Sequence, residues 1–380
     1  MEKIYLDYAS TTPVDPEVLQ AMEPYFYENF GNVSSSHFFG RQASKSLEDA
    51  RDVLAQFIGA QSQEVIFTSG ATEANNQAII GVARSLKSKG KHIIISSIEH
   101  PSVLAPVEYL VKEDGYSVTY LSVDQEGQVD PDEVRDSITE ETILISVMVA
   151  SNEIGVIQPV EEIGALAKEK NIYFHVDAVQ AVGHVPVNVE DIHCDVLSLS
   201  AHKFYGPKGV GALYIRKGTK VLPFLLGGDQ EYGLRASTQN VAGAVGLVKA
   251  IGICQEKMAG EMKQQSAWRD KLFTEVSRRI DRVVINGHRT RRLPNNVHFS
   301  FEKVQGESLL MSLDMVGFAA SMGSACHSGA MEPSHVLRAI GLSDDLAFGA
   351  LRVTLGRWTT EDHINRLLDE LPNMITGLRI

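Results

Sequence analysis

The chain is short of cysteine: Cys194, Cys254 and Cys326 are the only three in 380 residues. They are too few and too scattered for a disulfide framework or a metal knuckle. No metal is therefore expected, and the pattern fits a reducing, cytoplasmic compartment. Long apolar runs are also missing. None approaches the roughly 20 residues of a membrane span, and the opening "MEKIYLDYAS" lacks the basic-then-apolar pattern of an export signal. There is no Lys/Arg block, and the net charge is −13, which argues against nucleic acid held by a basic patch. A Walker loop is absent too. "GPKGVGAL" (206–213) leads into a strand instead of opening a helix, so it is no dinucleotide fingerprint. We find no internal repeat and no low-complexity linker.

What is present is a regular alternation of strands and helices from about residue 60 to 250. "EVIFTSG" (64–70), "KHIIISSIEH" (91–100), "TILISVMVAS" (142–151), "IYFHVDAV" (172–179), "DVLSLSAHK" (195–203) and "GALYIRKG" (211–218) read as strands. They lack polar/apolar alternation, as expected of strands covered on both faces. Helical patterns such as "ATEANNQAIIGVARSLK" (71–87) and "VEEIGALAKEK" (160–170) lie between them, so the expected fold is α/β with a doubly wound, mostly parallel sheet. A long helix over about 240–280 follows. Then "NNVHFSF", "ESLLMSLDMVG", "LRVTLG" and a final helix near 360–372 form a smaller α+β unit.

In such sheets a ligand sits beyond the carboxyl ends of the strands. "FTSGATEANN" places Ser69 to Thr72 between a strand and a helix, where the amides of Ala71 and Thr72 and a hydroxyl can cradle a phosphate. Asp177 ends an otherwise apolar strand. It is a helix cap, a satisfied core group or the partner of a protonated ring nitrogen. His100 stands at a strand end before a proline, as a core histidine or as a plate against a flat cofactor. Lys203 follows Ser200 and His202 at the end of a buried strand, either solvated or kept out of water as an amine nucleophile. One ligand needs all four features: pyridoxal 5'-phosphate (PLP), with its phosphate, ring nitrogen, ring face and aldehyde.

The motifs "TSGATEANN", "IEHPSV", "SNEIGVIQP", "HVDAVQAVG", "LSLSAHKFYGPKGVGALY", "GSACHSGAMEPSHVLRAIG" and "LRVTLGRWTTEDH" resemble those of the cysteine desulfurases of the NifS/IscS type, which belong to class V of the fold-type I PLP enzymes. The resemblance is collinear from "IYLDYASTTPVDPEV" to about residue 372. It implies a large PLP-binding domain over 15–255. A small domain would be made of 1–14 and 256–380 and carry a mobile cysteine loop at about 321–333. Lys203 would hold the cofactor covalently, with Ser200, His202, Ala71 and Thr72 on its phosphate. Asp177 would pair with the ring nitrogen, Gln180 and Asn152 would approach the ring hydroxyl, and His100 would stack on the ring. Asn152 and Arg352 would meet the substrate carboxylate, for which a guanidinium fork is well suited. Thr238 would reach the phosphate of the other subunit, implying a homodimer. Here the sequence departs from the family, reading "RAST" (235–238) where "RSGT" is usual.

Cys326, among the small residues of "SMGSACHSGAMEPS", has the setting of a reactive thiol, whereas Cys194 and Cys254 read as buried and inert. The resemblance places it as the persulfide cysteine of the longer-loop subgroup. The expected reaction takes L-cysteine to L-alanine and passes sulfur to Cys326, with His100 stacking on the ring or moving a proton at the sulfur. A sulfur-acceptor protein follows, either an iron–sulfur scaffold or a tRNA-thiolation enzyme. Because the chain ends about eight residues beyond the expected final helix, the scaffold is the less favoured of the two. Another class V PLP enzyme, such as a selenocysteine lyase, would not need Cys326. A non-enzymatic sulfur-relay protein would not need Lys203, Asp177 and Arg352 together.

Overall fold

The computed structural model describes residues 2–323 and 333–379. Its strands, in chain order, are β1 (Ile4–Tyr5), β2 (Val65–Thr68), β3 (His92–Ser96), β4 (Ser117–Leu121), β5 (Thr142–Ser146), β6 (Tyr173–Asp177), β7 (Val196–Ser200), β8 (Gly211–Ile215), β9 (Val283–Ile285), β10 (Asn296–Phe301), β11 (Phe318–Ala319) and β12 (Ala350–Thr354). Seven of them form one sheet in the order β2-β8-β7-β6-β5-β3-β4. The pairings from β7 through β4 are all parallel. β8 runs antiparallel to both β7 and β2. Two reversals restore the direction, so the carboxyl end of β2 lies on the same edge as those of β3, β5, β6 and β7. That edge is where the site forms.

Successive residues on these strands point to opposite faces, and both faces are packed. Ile94, Ile145, Phe174, Val176 and Leu197 enter one core, while their neighbours Ile93, Ile95, Leu144 and Val196 enter another. This explains the unbroken apolar runs in the sequence. A second sheet, β12-β10-β9, is antiparallel. It packs Phe299, Leu351 and Val353 with Leu6 from the amino-terminal segment and Phe273 from the helix Val241–Arg279.

Four details differ from expectation. β8 is antiparallel within the large sheet. β4 is an additional edge strand whose first four residues are all at least partly exposed, so it shows no apolar run in the sequence. β7 stops at Ser200, and Ala201–Lys203 is a single 3₁₀ turn closed by Phe204 N–H on Ala201 O at 3.1 Å. The last helix runs Glu361–Leu378, past Pro372. Proline cannot donate to the carbonyl four residues back, but Arg279 Nη1 donates to Leu368 O at 3.0 Å instead.

Candidate active site

The loops that leave the carboxyl edge of the large sheet line one cavity of about 500 Å³. Ala71 and Thr72 enter it from the end of β2, His100 from β3 and Asn152 from β5. Asp177 and Gln180 come from β6, and Ser200, His202 and Lys203 from β7. Arg352 reaches it from β12, and Ala9 to Thr11 close one side. Ten of the twelve expected site residues thus meet in one place. Thr238 is exposed and does not line the cavity. Cys326 lies outside the described residues.

At the phosphate end, Gly70 turns the chain with φ 152°, and the helix Ala71–Leu86 begins with no side-chain cap on its first amides. Uncapped amides at a helix start favour an anion. A Cβ at Gly70 would lie 3.8 Å from Ser200 Oγ, so that hydroxyl stands beside the turn. Glu73 steadies the turn by accepting from Ser69 N at 2.9 Å and by pairing with Arg235 at 2.8 Å. His202 Nδ1 contacts Thr11 Oγ1 at 3.1 Å. Burial, with the positive charges of Lys203 and Lys208, pushes its ring down to about 4.

Lys203 Nζ donates to Ala9 O at 2.6 Å and Ser10 O at 2.8 Å. Its own carbonyl meets His184 Nε2 at 3.0 Å. Burial lowers the pKa of His184, so the neutral ring donates to this carbonyl and fixes the turn. Asp177 is 7% exposed. One carboxylate oxygen accepts from Val179 N at 2.9 Å and the other from Asn75 Nδ2 at 2.8 Å. Gln180 Nε2 donates to Ala9 O at 2.9 Å. Arg352, 1% exposed, donates through Nη1 to Asn152 O at 2.9 Å. Its Nη2 donates to Asp7 Oδ1 at 2.8 Å and Ser10 Oγ at 2.7 Å. Asp7 therefore balances the guanidinium.

Burial pushes the Cys254 thiol up to about 11 and raises Cys194 as well, so both are poor nucleophiles. Described residues on either side of Cys326 pass close to one buried carboxylate, Glu153. Ser334 Oγ donates to Glu153 Oε2 at 2.5 Å, and a Cβ on Gly323 would come within 2.8 Å of the same oxygen. Sequence reasoning missed Asn75, His184 and Glu153. "EANN" and "SNEIG" hold two of them inside recognised motifs, but nothing local gives their roles.

The donor set suits pyridoxal phosphate. A helix start and a hydroxyl await a phosphate, a doubly supported carboxylate awaits a cationic ring nitrogen, and an amine stands in the same cavity.

Comparison with known proteins agrees with this chemistry. The family model described as aminotransferase class-V matches residues 4–367. A cysteine desulfurase IscS of Dictyoglomus turgidum is 54% identical over 377 residues, covering 99% of this chain and 95% of that protein. A solved NifS-like protein superposes with a TM-score of 0.93 at 37% identity, covering 99% and 100% of the two chains. The structure described as SspA in complex with cysteine gives 0.82 at 35% identity, over 94% and 100%.

Proposed function

The chain belongs to the aminotransferase class-V family, among its cysteine desulfurases, and on that premise we propose how its residues divide the reaction. The enzyme is PLP-dependent and takes sulfur from L-cysteine. When bound, the cofactor supplies an aldehyde that condenses with amines and a ring that draws electrons from the carbon beside the substrate nitrogen. Ala71, Thr72, Ser200 and His202 hold its phosphate. Asp177, kept in place by Asn75 and the Val179 amide, holds the proton of the ring nitrogen. His100 would stack on the ring, and Gln180 and Asn152 would approach its hydroxyl.

Arg352 exchanges part of its contact with Asp7 and Ser10 for the substrate carboxylate, which orients the amino acid. Lys203 Nζ would hold the cofactor covalently, and its free amine accepts the proton from the substrate Cα. Cys326 Sγ, as thiolate, attacks the substrate sulfur. An S–S bond forms and the C–S bond breaks, with its electron pair staying on the three-carbon unit. That carbon takes up a proton, Lys203 returns a proton to Cα to complete alanine, and Cys326 carries the sulfur as a persulfide. The overall change, cysteine plus thiol to alanine plus persulfide, needs no external oxidant.

The persulfide then serves an acceptor protein for iron–sulfur assembly or tRNA thiolation. The enzyme works as a homodimer to which Thr238 contributes in trans, in the cytoplasm. Its large unit is 15–255, and its small unit joins 1–14 to 256–380. No described helix is long and apolar enough to cross a membrane.

The observation that carries the reading is the convergence of Lys203, Asp177 and Arg352 on one cavity. Borohydride treatment of the PLP-loaded protein should fix the cofactor on the peptide containing Lys203. A Lys203→Ala variant should bind the cofactor without being fixed. Cofactor reduced onto another lysine of that variant would contradict the assignment.

A further inference from the structure

Asn152 belongs to a turn after β5 whose successive carbonyls are all taken by groups from distant parts of the chain. Asn152 O accepts from Arg352 Nη1 at 2.9 Å, Glu153 O from Asn296 Nδ2 at 3.0 Å and Ile154 O from Arg292 Nη2 at 2.6 Å. Gly155 O accepts from Leu293 N at 2.8 Å. The strand register explains part of this. β10 pairs with β12 so that Asn296 lies opposite Thr354 and His298 opposite Arg352. Residues two apart on a strand share a face, so Asn296 and Arg352 leave the same face of the small sheet. The turn lies tight against that face: a Cβ on Gly155, whose φ is 73°, would come within 2.5 Å of Asn296 Cγ.

Arg292 is the costly member of this strap. It is 3% exposed, and the carboxylate that acts on it, Asp270, pairs with Arg269 at 2.9 Å instead. Burial, with repulsion from Arg269, pulls its pKa down to about 9, still above neutral pH. Its Nη1 donates to Asn286 O at 3.0 Å, and its Nη2 donates also to Asn296 Oδ1 at 2.9 Å. A buried charge satisfied by neutral oxygens is a poor stabilising device. Orientation is what it supplies. A guanidinium can only donate, so Asn296 turns Oδ1 to Arg292 and is left with Nδ2 facing Glu153 O.

We propose that Arg292 and Asn296 are positioning residues for the substrate carboxylate: they hold the turn 152–155 so that Asn152 O aims the Arg352 guanidinium. The inference rests on the desulfurase reading above and adds the groups that set its carboxylate clamp. Asn152 O is neutral, so it fixes one arm of the guanidinium without cancelling its charge, as the Asp7 carboxylate does. Arg352 can therefore release Asp7 and Ser10 to meet a substrate and keep Asn152 O as its pivot. Lys203 and Asp177 stand on β7 and β6, away from the strap, so cofactor binding does not depend on it. The strap acts on an amino acid through its carboxylate alone.

Binding of two amines to the PLP-loaded protein, followed by cofactor absorbance, tests this without reference to turnover. One is L-alanine, the product, and the other is ethylamine, which is alanine without its carboxylate. Asn296→Leu fills the same volume with no donor, and Arg292→Lys keeps the charge but loses the fork. In each variant the dissociation constant for L-alanine should rise about five- to tenfold while that for ethylamine changes by less than about twofold, since only the carboxylate meets Arg352. Equal weakening of both amines, or of neither, would overturn the proposal. Loss of folding or of cofactor binding in both variants would overturn it as well, by making the strap a support of the fold alone. Failure of the desulfurase reading would look different: the parent enzyme would form no alanine from L-cysteine.

Discussion

Glu99, the neighbour of His100, is a carboxyl held almost entirely out of water. Its Oε1 accepts from Ser96 Oγ at 2.7 Å and Met148 N at 2.8 Å. Burial, with a smaller push from Asp177, raises its pKa from 4.5 to about 8. A carboxyl protonated when folded but ionised when unfolded loses stability for the fold as pH rises from 4.5 to about 8. Glu99→Gln should therefore melt higher than the parent at pH 8, with the difference closing as pH falls toward 4.5. A difference that is constant with pH would show that Glu99 is ionised in the folded state. At this scale much of the site was legible in the sequence. Ala71, His100, Asp177 and Lys203 each follow a strand that ends on one edge, so strand recognition alone brought them together. Asn75 was not legible, because its partner Asp177 is 102 residues away and only the folded sheet brings them together. His184 escaped for the same reason. Its ring supports a main-chain carbonyl, and no residue pattern announces that.

Among the elements, the segment before the long helix is the most constrained. Glu231, Tyr232 and Ser237 all have positive φ, at 48°, 60° and 102°. Glu231 is held there by a buried ion pair with Arg51 at 2.7 Å and by Phe67 N–H on its carboxylate at 2.9 Å. Ser237 stands where the resembling family has glycine, and its conformation shows why glycine suits the position. Ser237→Gly removes the Cβ strain, worth about 1–2 kcal/mol, against an unfolded-state entropy cost of about 0.4–1 kcal/mol. The expected outcome of thermal or denaturant unfolding is a net gain of between about 0 and about 1.6 kcal/mol, and a loss of stability would contradict the strain argument. The element errors have physical causes as well. An edge strand such as β4 is not buried on both faces, so it lacks the continuous apolar signal that marked the central strands. The reversed direction of β8 leaves no trace in its composition, since an antiparallel strand buried on both faces looks like a parallel one. The end of the last helix was misjudged because the guanidinium that replaces the missing Pro372 hydrogen bond comes from Arg279, 89 residues from its acceptor Leu368.

For the whole molecule, the division of labour matters most. In the cavity three groups are braced from behind: Lys203 by His184, Asp177 by Asn75, and Arg352 by Asp7 and Ser10. The two thiols inside the cores are raised by burial and take no part. The remaining cysteine, Cys326, lies between Gly323, which passes close beside the Glu153 carboxylate, and Ser334, which donates to it, one residue from the cavity-lining Asn152. The central claim is that activation of L-cysteine and acceptance of its sulfur fall to different residues. A single-turnover reaction of PLP-loaded enzyme with L-cysteine, following alanine and protein-bound sulfur together, tests it most directly. The parent enzyme should form the two in equal amounts, with the sulfur on Cys326. The Cys326→Ser variant should bind L-cysteine, as seen in its cofactor absorbance, yet form neither product, since a serine hydroxyl is a far poorer nucleophile than a thiolate. Alanine formed by Cys326→Ser at the parental rate would contradict the account.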